Sequence, residues 1–296
     1  MRAKPVLLLV AGALAAPLPA AADGVRGFLQ LTPGYQGRAD LDDGGHFATP
    51  GVLTKLGATS GLTPGMRGSL ALNYDQFDYR YRNRAVFGPV APWDQVMRAG
   101  LSAPIAYQGA DGWSVQAVPS FDYFREDGAS WDDSLSYGAL LAVSKQFTEK
   151  RRVGLGFGVY DALERTRAFP YIVVDWEFNE RWRLTNPLAA GPTGPAGLEL
   201  RYRFDNEWEM GAGGAYRSYR FRLDDAGLGP GGIGEERGIA AFVHLGRDFG
   251  PRFSVDLYAG AMLDGELRLD NGAGDELLRT KYDPAPLMGV TFTGRF

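Results

Sequence analysis

The chain has no cysteine, which removes disulfides and thiolate metal sites and leaves its stability to the fold alone. Histidine is nearly as scarce: His46 and His244 are the two in 296 residues, which leaves little material for acid–base catalysis. Methionine occurs six times against 41 glycines, a balance that suits strands and turns better than helices. The formal net charge of −4 becomes −6 without Arg2 and Lys4, and this mild acidity argues against a nucleic-acid partner. Beyond Ala22 no stretch approaches the roughly 20 consecutive apolar residues of a transmembrane helix. The mean hydropathy of −0.20 would be fatal for a helical membrane protein. It is ordinary for a barrel, where only alternate residues meet lipid.

What is present begins at the N-terminus. Arg2 and Lys4 make a short positive region, Val6 to Ala16 is almost wholly apolar, and Ala20-Ala21-Ala22 precedes Asp23 as a small-residue cleavage site. Residues 1–22 therefore read as a cleaved signal peptide, and 23–296 as one domain, since no linker divides it. The apolar core is too short for a spanning helix, and no cysteine stands at the cleavage site to take a lipid anchor.

The last ten residues, Leu287-Met288-Gly289-Val290-Thr291-Phe292-Thr293-Gly294-Arg295-Phe296, alternate apolar with polar or small. A period of two is a strand with one greasy and one wet face, and Met288, Val290, Phe292 and Phe296 share the greasy one. The ending resembles the terminal strand of bacterial outer-membrane β-barrels. The resemblance implies that these four residues are the signal read by the barrel assembly machinery. Gly294 departs from the pattern, which would usually carry an apolar side chain there.

The same alternation recurs upstream. Leu70, Leu72 and Tyr74 oppose Arg67, Ser69, Asn73 and Asp75; Leu135 to Val143 oppose small residues; Val153, Leu155, Phe157 and Val159 oppose Gly154, Gly156 and Gly158; Leu198, Leu200, Tyr202 and Phe204 oppose Glu199, Arg201 and Arg203. Runs of about ten such residues, tilted near 45°, cross the ~25 Å apolar band of an outer membrane. Connections alternate in kind. Short ones at 61–65, 109–112, 148–152, 179–181, 205–207 and 247–252 separate long, polar, Gly/Pro/Asp-rich ones at 38–50, 82–92, 126–133, 162–170, 186–197, 224–237 and 268–283. The expected fold is all-β: a single transmembrane antiparallel β-barrel of about fourteen strands, or twelve if the weak run Arg181 to Thr185 is discounted. Aromatics about the short turns, including Trp113, Phe147, Phe178, Trp182, Phe204, Phe253 and Phe296, make one interfacial girdle. Tyr79, Tyr81, Trp93, Tyr123, Tyr160 and Tyr171 are the candidates for the other.

Parity directs Arg67, Arg98, Lys145, Arg201, Arg203 and Arg217 inward, with Asp75, Asp175, Glu177, Glu199 and Asp256. A wet lining of both signs selects small solutes by field and size, and equally lets a closed barrel pair its own charges. Gly154, Gly156 and Gly158 leave bare inward positions, and the Pro/Gly-rich segment 186–195 is a candidate for a loop folded into the lumen. Catalysis finds little support. Asp42, Asp43 and His46 are the only set suited to a rim protease, and His244 is expected to be a lumenal side chain near the short-turn end. The histidines lie far apart, and the acidic pairs lack the spacing of a calcium loop, so no metal site and no cofactor are expected.

Across almost the whole of 23–296 the chain resembles the porin-like barrels of Gram-negative bacteria, in particular a family without a settled activity that shares the Gly191-Pro192 to Ala196-Gly197-Leu198-Glu199-Leu200 segment. The resemblance implies an outer-membrane location, with lipid, lipopolysaccharide and the assembly machinery as partners. The first functional expectation is a passive pore for small solutes. A non-conducting barrel acting through its outer loops is the second, and an outer-membrane hydrolase a distant third.

Overall fold

A computed structural model describes residues 24–83, 87–88, 90–187, 192–193 and 196–296. The expected signal peptide lies outside them. Fourteen antiparallel strands close on themselves. In chain order they are β1 Val25–Asp40, β2 His46–Thr63, β3 Met66–Asp78 continued by Arg80–Arg82, β4 Gln95–Ser102 with Ile105–Gln108, β5 Trp113–Glu126, β6 Leu135–Thr148 and β7 Arg151–Asp161. There follow β8 Thr166–Glu177, β9 Trp182–Thr185, β10 Ala196–Arg203, β11 Trp208–Arg222, β12 Ile233–Asp248, β13 Phe253–Asp270 and β14 Glu276–Tyr282 with Ala285–Arg295. Each pairs with its sequence neighbour, and β1 meets β14 from Phe28↔Arg295 to Gln36↔Leu287. The amides of Gly27 and Phe296 each donate to the other's carbonyl, at 2.7 and 2.9 Å, so the terminal phenylalanine completes the closing ladder.

The alternation behaves as barrel physics requires. Leu72, Leu141, Leu155 and Val243 stand outward and more than half exposed, while their chain neighbours turn inward. Met288, Phe292 and Phe296 are exposed on the outer face. Trp113, Phe147, Phe178, Trp182, Phe204 and Phe253 are exposed around the short-turn rim and form the expected girdle.

The second girdle is built from other residues. Tyr79 and Trp93 are only 2% and 1% exposed, Tyr81 packs against both, and Tyr160 and Tyr171 lie on the inward parity of β7 and β8. Of the six expected residues Tyr123 alone is outward, joined at that level by Tyr74, Trp131, Tyr137 and Tyr216. Several long connections also prove to be strand. β1 and β2 leave only residues 41–45 between them, β13 and β14 only 271–275, and β7 and β8 only 162–165. Above the lipid both faces of a hairpin may be polar, so a polar run there no longer distinguishes loop from strand.

Two features set the interior. First, β9 has four residues and β10 eight, so among the described residues β8 has no ladder partner on this side beyond Asp175. Asn186 patches the start of the gap: its side-chain oxygen accepts from the Val174 amide (3.1 Å), and its nitrogen donates to the carbonyls of Ile172 and Gly197 (2.9 Å each). Second, the β12–β13 ladder slips between Arg237 and Ile239, opposite Asp264 at φ +47°. Bulges bend strands and sharpen twist. Beyond this one the β11–β12–β13 tips lean across the barrel mouth, far enough for Arg222 of β11 to bridge Arg125 of β5 in parallel.

Candidate lumenal site

The leaning tips fill the long-loop half of the lumen. Phe221 is fully buried, with Trp93 at 5.3 Å, Phe124 at 5.7 Å and Tyr79 at 6.2 Å between ring centroids, and Phe77 lies 4.7 Å from Tyr219. Phe47, Val96, Met262 and Leu267 complete this core at 0% exposure. Several polar groups within it are paired, while the Tyr81 hydroxyl and Trp93 Nε1 are buried with no hydrogen-bond partner. Glu236 accepts from the hydroxyls of Tyr79 (2.6 Å) and Tyr282 (2.9 Å) and from Gln36 Nε2 (2.8 Å), with the Arg217 guanidinium at 3.6 Å. The opposite face of the tips rests on the 162–165 turn. Glu235 takes a two-pronged bond from Arg167 at 2.6 Å, Arg220 reaches Asp270 (2.9 Å) and the Leu163 carbonyl (3.0 Å), and Arg222 reaches Glu164 (2.8 Å).

Of segment 186–195, residues 186–187 and 192–193 are described. Pro192 and Thr193 are buried, and Arg217 donates to the Pro192 carbonyl at 3.3 Å. Room comes from Gly34 and Gly289, paired with each other across the β1–β14 seam, where a methyl group would lie 3.7 and 2.9 Å from the Pro192 ring. The glycines of β7 serve another purpose. A methyl on Gly156 would collide with the Tyr171 ring, and one on Gly158 with Phe169, so the ring of the adjacent strand lies flat over each bare position.

Below the closing core the lumen changes character. On the β3–β5 wall, at the level of Tyr74, Arg98 pairs with Asp75 (2.5 Å) and approaches Asp122 (4.0 Å). Toward the short-turn end, on the other wall, Arg201 links Glu199 (2.9 Å) and Glu209 (2.8 Å), and Arg183 holds Asp175 through two contacts of 2.7 and 2.9 Å. His244 Nδ1 lies 2.5 Å from Glu199, and its ring stacks on Tyr258. Asp256, Arg201, Glu209 and Arg98 keep 16–30% of their side-chain surface exposed, whereas Asp75, Glu199 and His244 are buried.

Parity thus brings Arg98, Asp75, Asp175, Glu199, Arg201 and Asp256 into the lumen. Glu177 and Arg203 stand at its short-turn rim beside Arg181, and Arg67 occupies the inward parity at the turn after β2. Arg217 lies higher and secures the closure instead of lining a polar passage. Lys145 is a correction. It shares the outer parity of Leu141 and Val143, with Nζ 5.1 Å above the exposed Trp113 ring. A lysine at the girdle keeps its ammonium at headgroup level while its stem covers apolar surface. Asp42 and Asp43 are exposed in a tight turn, and His46 is drawn into the β2 ladder opposite Arg82 and Asp40. Sequence reasoning missed the convergence of Glu209 and Asp256 on His244, since the three come from different strands.

A closed antiparallel barrel with an apolar outer belt, an aromatic girdle and a polar lumen is an outer-membrane β-barrel. No family model matches the chain, and no curated protein does. Among solved structures it is similar to an outer-membrane channel from Pseudomonas putida F1, at 11% identity over 95% of this chain and 99% of that one, with a TM-score of 0.50. A Pseudomonas aeruginosa FadL homologue matches at 12% identity over 92% and 90% of the two chains, TM-score 0.46. The P. putida toluene transporter TodX matches at 12% identity over 93% and 90%, TM-score 0.42. At these identities the shared property is the fold.

Proposed function

We propose that the protein is a passive channel for small hydrophilic solutes, held here with its outer end shut. The observation that carries this is the gradient along the lumen: Asp256, Arg201 and Glu209 at the short-turn end keep 16–29% of their side-chain surface exposed, whereas the closing core falls to near zero. The interior is therefore a blind vestibule. Its paired charges of both signs offer hydrogen-bonding alternatives to a hydrated solute, as a selective pore requires. In the usual orientation of such barrels the short turns face the periplasm and the closure faces outward. The solved P. putida F1 channel, whose fold extends over nearly the whole of this chain, is compatible with the reading.

The test is single-channel recording in planar bilayers with barrel shown to be folded by its altered migration on an unboiled gel. Wild-type protein should give small or rare current steps, and Phe221→Ala larger and more frequent ones. Silence from inserted wild type and variant alike would overturn the channel reading.

A further inference from the structure

The lumen holds one arrangement that solute conduction does not use. His244 on β12 is 3% exposed, and its Nε2 has no hydrogen-bond partner. That nitrogen points between two carboxylates from the flanking strands: Asp256 Oδ1 on β13 at 3.4 Å and Glu209 Oε1 on β11 at 3.7 Å. A charge-assisted hydrogen bond would draw such groups to about 2.7–2.9 Å. Ligands about 2.0–2.2 Å from a shared tetrahedral ion instead lie roughly 3.3–3.5 Å apart, and the three donor atoms here fall within 4.8 Å of one another.

The surroundings prepare the ring for that role. Glu199, at 2.5 Å from Nδ1, accepts a hydrogen bond from the Nδ1–H tautomer, which leaves the Nε2 lone pair bare, the carboxylate–histidine support usual behind metal-bound imidazoles. Tyr258 stacks at 5.4 Å and fixes the ring plane. Gly246 stands in register between Glu209 and Asp256 across three strands, and a methyl there would sit 2.8 Å from Asp256 Oδ1 and 3.0 Å from His244 Nε2. A methyl on Gly211 would likewise meet Glu199 and the Nδ1 side of the ring. Both glycines keep open the space the side chains converge on. Arg201 is bonded to Glu199 Oε2 and to Glu209 Oε1, the oxygen that faces His244, and offsets the charge of both carboxylates.

We propose that Glu209, His244 and Asp256 bind one divalent first-row transition-metal cation at the short-turn end of the lumen. One imidazole nitrogen with two carboxylate oxygens suits Zn²⁺, Mn²⁺, Fe²⁺ or Co²⁺, and lacks the all-oxygen set of calcium. The partial exposure of Glu209 and Asp256, 29% and 16%, leaves the ion a face for water and a path from the vestibule.

The experiment is a calorimetric titration of chelator-stripped, detergent-folded barrel with Zn²⁺, paired with the visible spectrum after Co²⁺ addition. Expected are one Zn²⁺ per chain and Co²⁺ bands in the visible, with affinity at least tenfold weaker in His244→Gln and Asp256→Asn. Gly246→Ala keeps all three ligands and should weaken binding by crowding them. Should a variant fail to fold on the unboiled gel, the wild-type Co²⁺ spectrum decides alone. Absence of saturable Zn²⁺ binding and of Co²⁺ bands overturns the proposal and makes His244 an ion-pair partner. Binding undiminished in a folded His244→Gln also overturns it and assigns the metal to acidic loops.

Discussion

Gly289 faces Pro192 so closely that a methyl on the glycine would come within 2.9 Å of the proline ring. The strand that closes the barrel thus also seats Pro192. Gly289→Val should expel Pro192 from the lumen, cost roughly 1–3 kcal/mol through overpacking, and raise single-channel conductance. Protease nicking within 186–195 should increase in parallel. Unchanged conductance and cleavage would show that the segment does not depend on this bare position.

Phe221 anchors the closing core among Trp93, Phe124 and Tyr79. Phe221→Ala leaves a cavity worth about 3–5 kcal/mol. Because the barrel wall below is independently laddered, this cost should fall on the tips of β11 and β12. The expected signature is lost exchange protection at 217–237 with protection of the membrane-level strands retained.

Removing the hydroxyls of Tyr79 and Tyr282 together leaves Glu236 with Gln36 and Arg217. Each lost bond to a buried charged group is expected to cost about 1.5–3 kcal/mol. Tyr79→Phe/Tyr282→Phe should lower the urea midpoint by more than either single change. A double variant as stable as wild type would show that the carboxylate finds other donors.

Glu126 lies beyond the outward apolar stretch of β5 and ties two loops together, accepting from the amides of Asp94 (2.8 Å) and Asp224 (3.1 Å). Burial pushes its carboxyl up to about 7, opposed by those two amides and reinforced by the charges of Asp224 and Asp94. A raised value in the fold means that the folded form holds its proton where the unfolded chain has released it. The stabilisation is thus complete below the ordinary carboxylate range and lost as pH rises through about 7. Limited proteolysis of 83–94 and 223–232 should therefore quicken between pH 5.5 and 8.5, and Glu126→Gln should flatten that dependence.

Deleting Phe296 removes both main-chain bonds to Gly27 and one exposed ring of the girdle. If the terminal residues are also the assembly signal, outer-membrane yield in cells should fall several-fold, while refolding of the purified chain in detergent is affected much less. Equal losses in both settings would assign the residue to stability alone.

The membrane-level wall was legible in the sequence because lipid on one side and water on the other force a period of two. Leu72, Leu141 and Leu155 declare it, and even four-residue β9 was counted. The closure was not legible, for the same reason. Past the bulge at Gly238 and Asp264 both faces of β11, β12 and β13 are covered, so the greasy-to-wet contrast disappears. Glu235 and Asp270 fall in runs that read as solvated loop, yet both are buried in ion pairs with Arg220. Tyr79 and Trp93 show the converse: they lie at the height their positions in the sequence imply but point inward, into the closing core. The lumenal charges were found by parity, but their meeting on His244 depends on the stagger between β10, β11, β12 and β13, which no single strand encodes.

The closure is not a separate domain dropped into a finished cylinder, since the tips that shut the mouth are continuations of three of the cylinder's own staves. Closing the wall and filling the mouth therefore draw on the same strands. β13 and β14 supply Met262, Leu267 and Tyr282 to the closing core, so a nascent barrel stays unstoppered until its last hairpin arrives. Reopening the mature one has a natural flexure in the register slip beside Gly238, above a wall whose hydrogen bonds need not break.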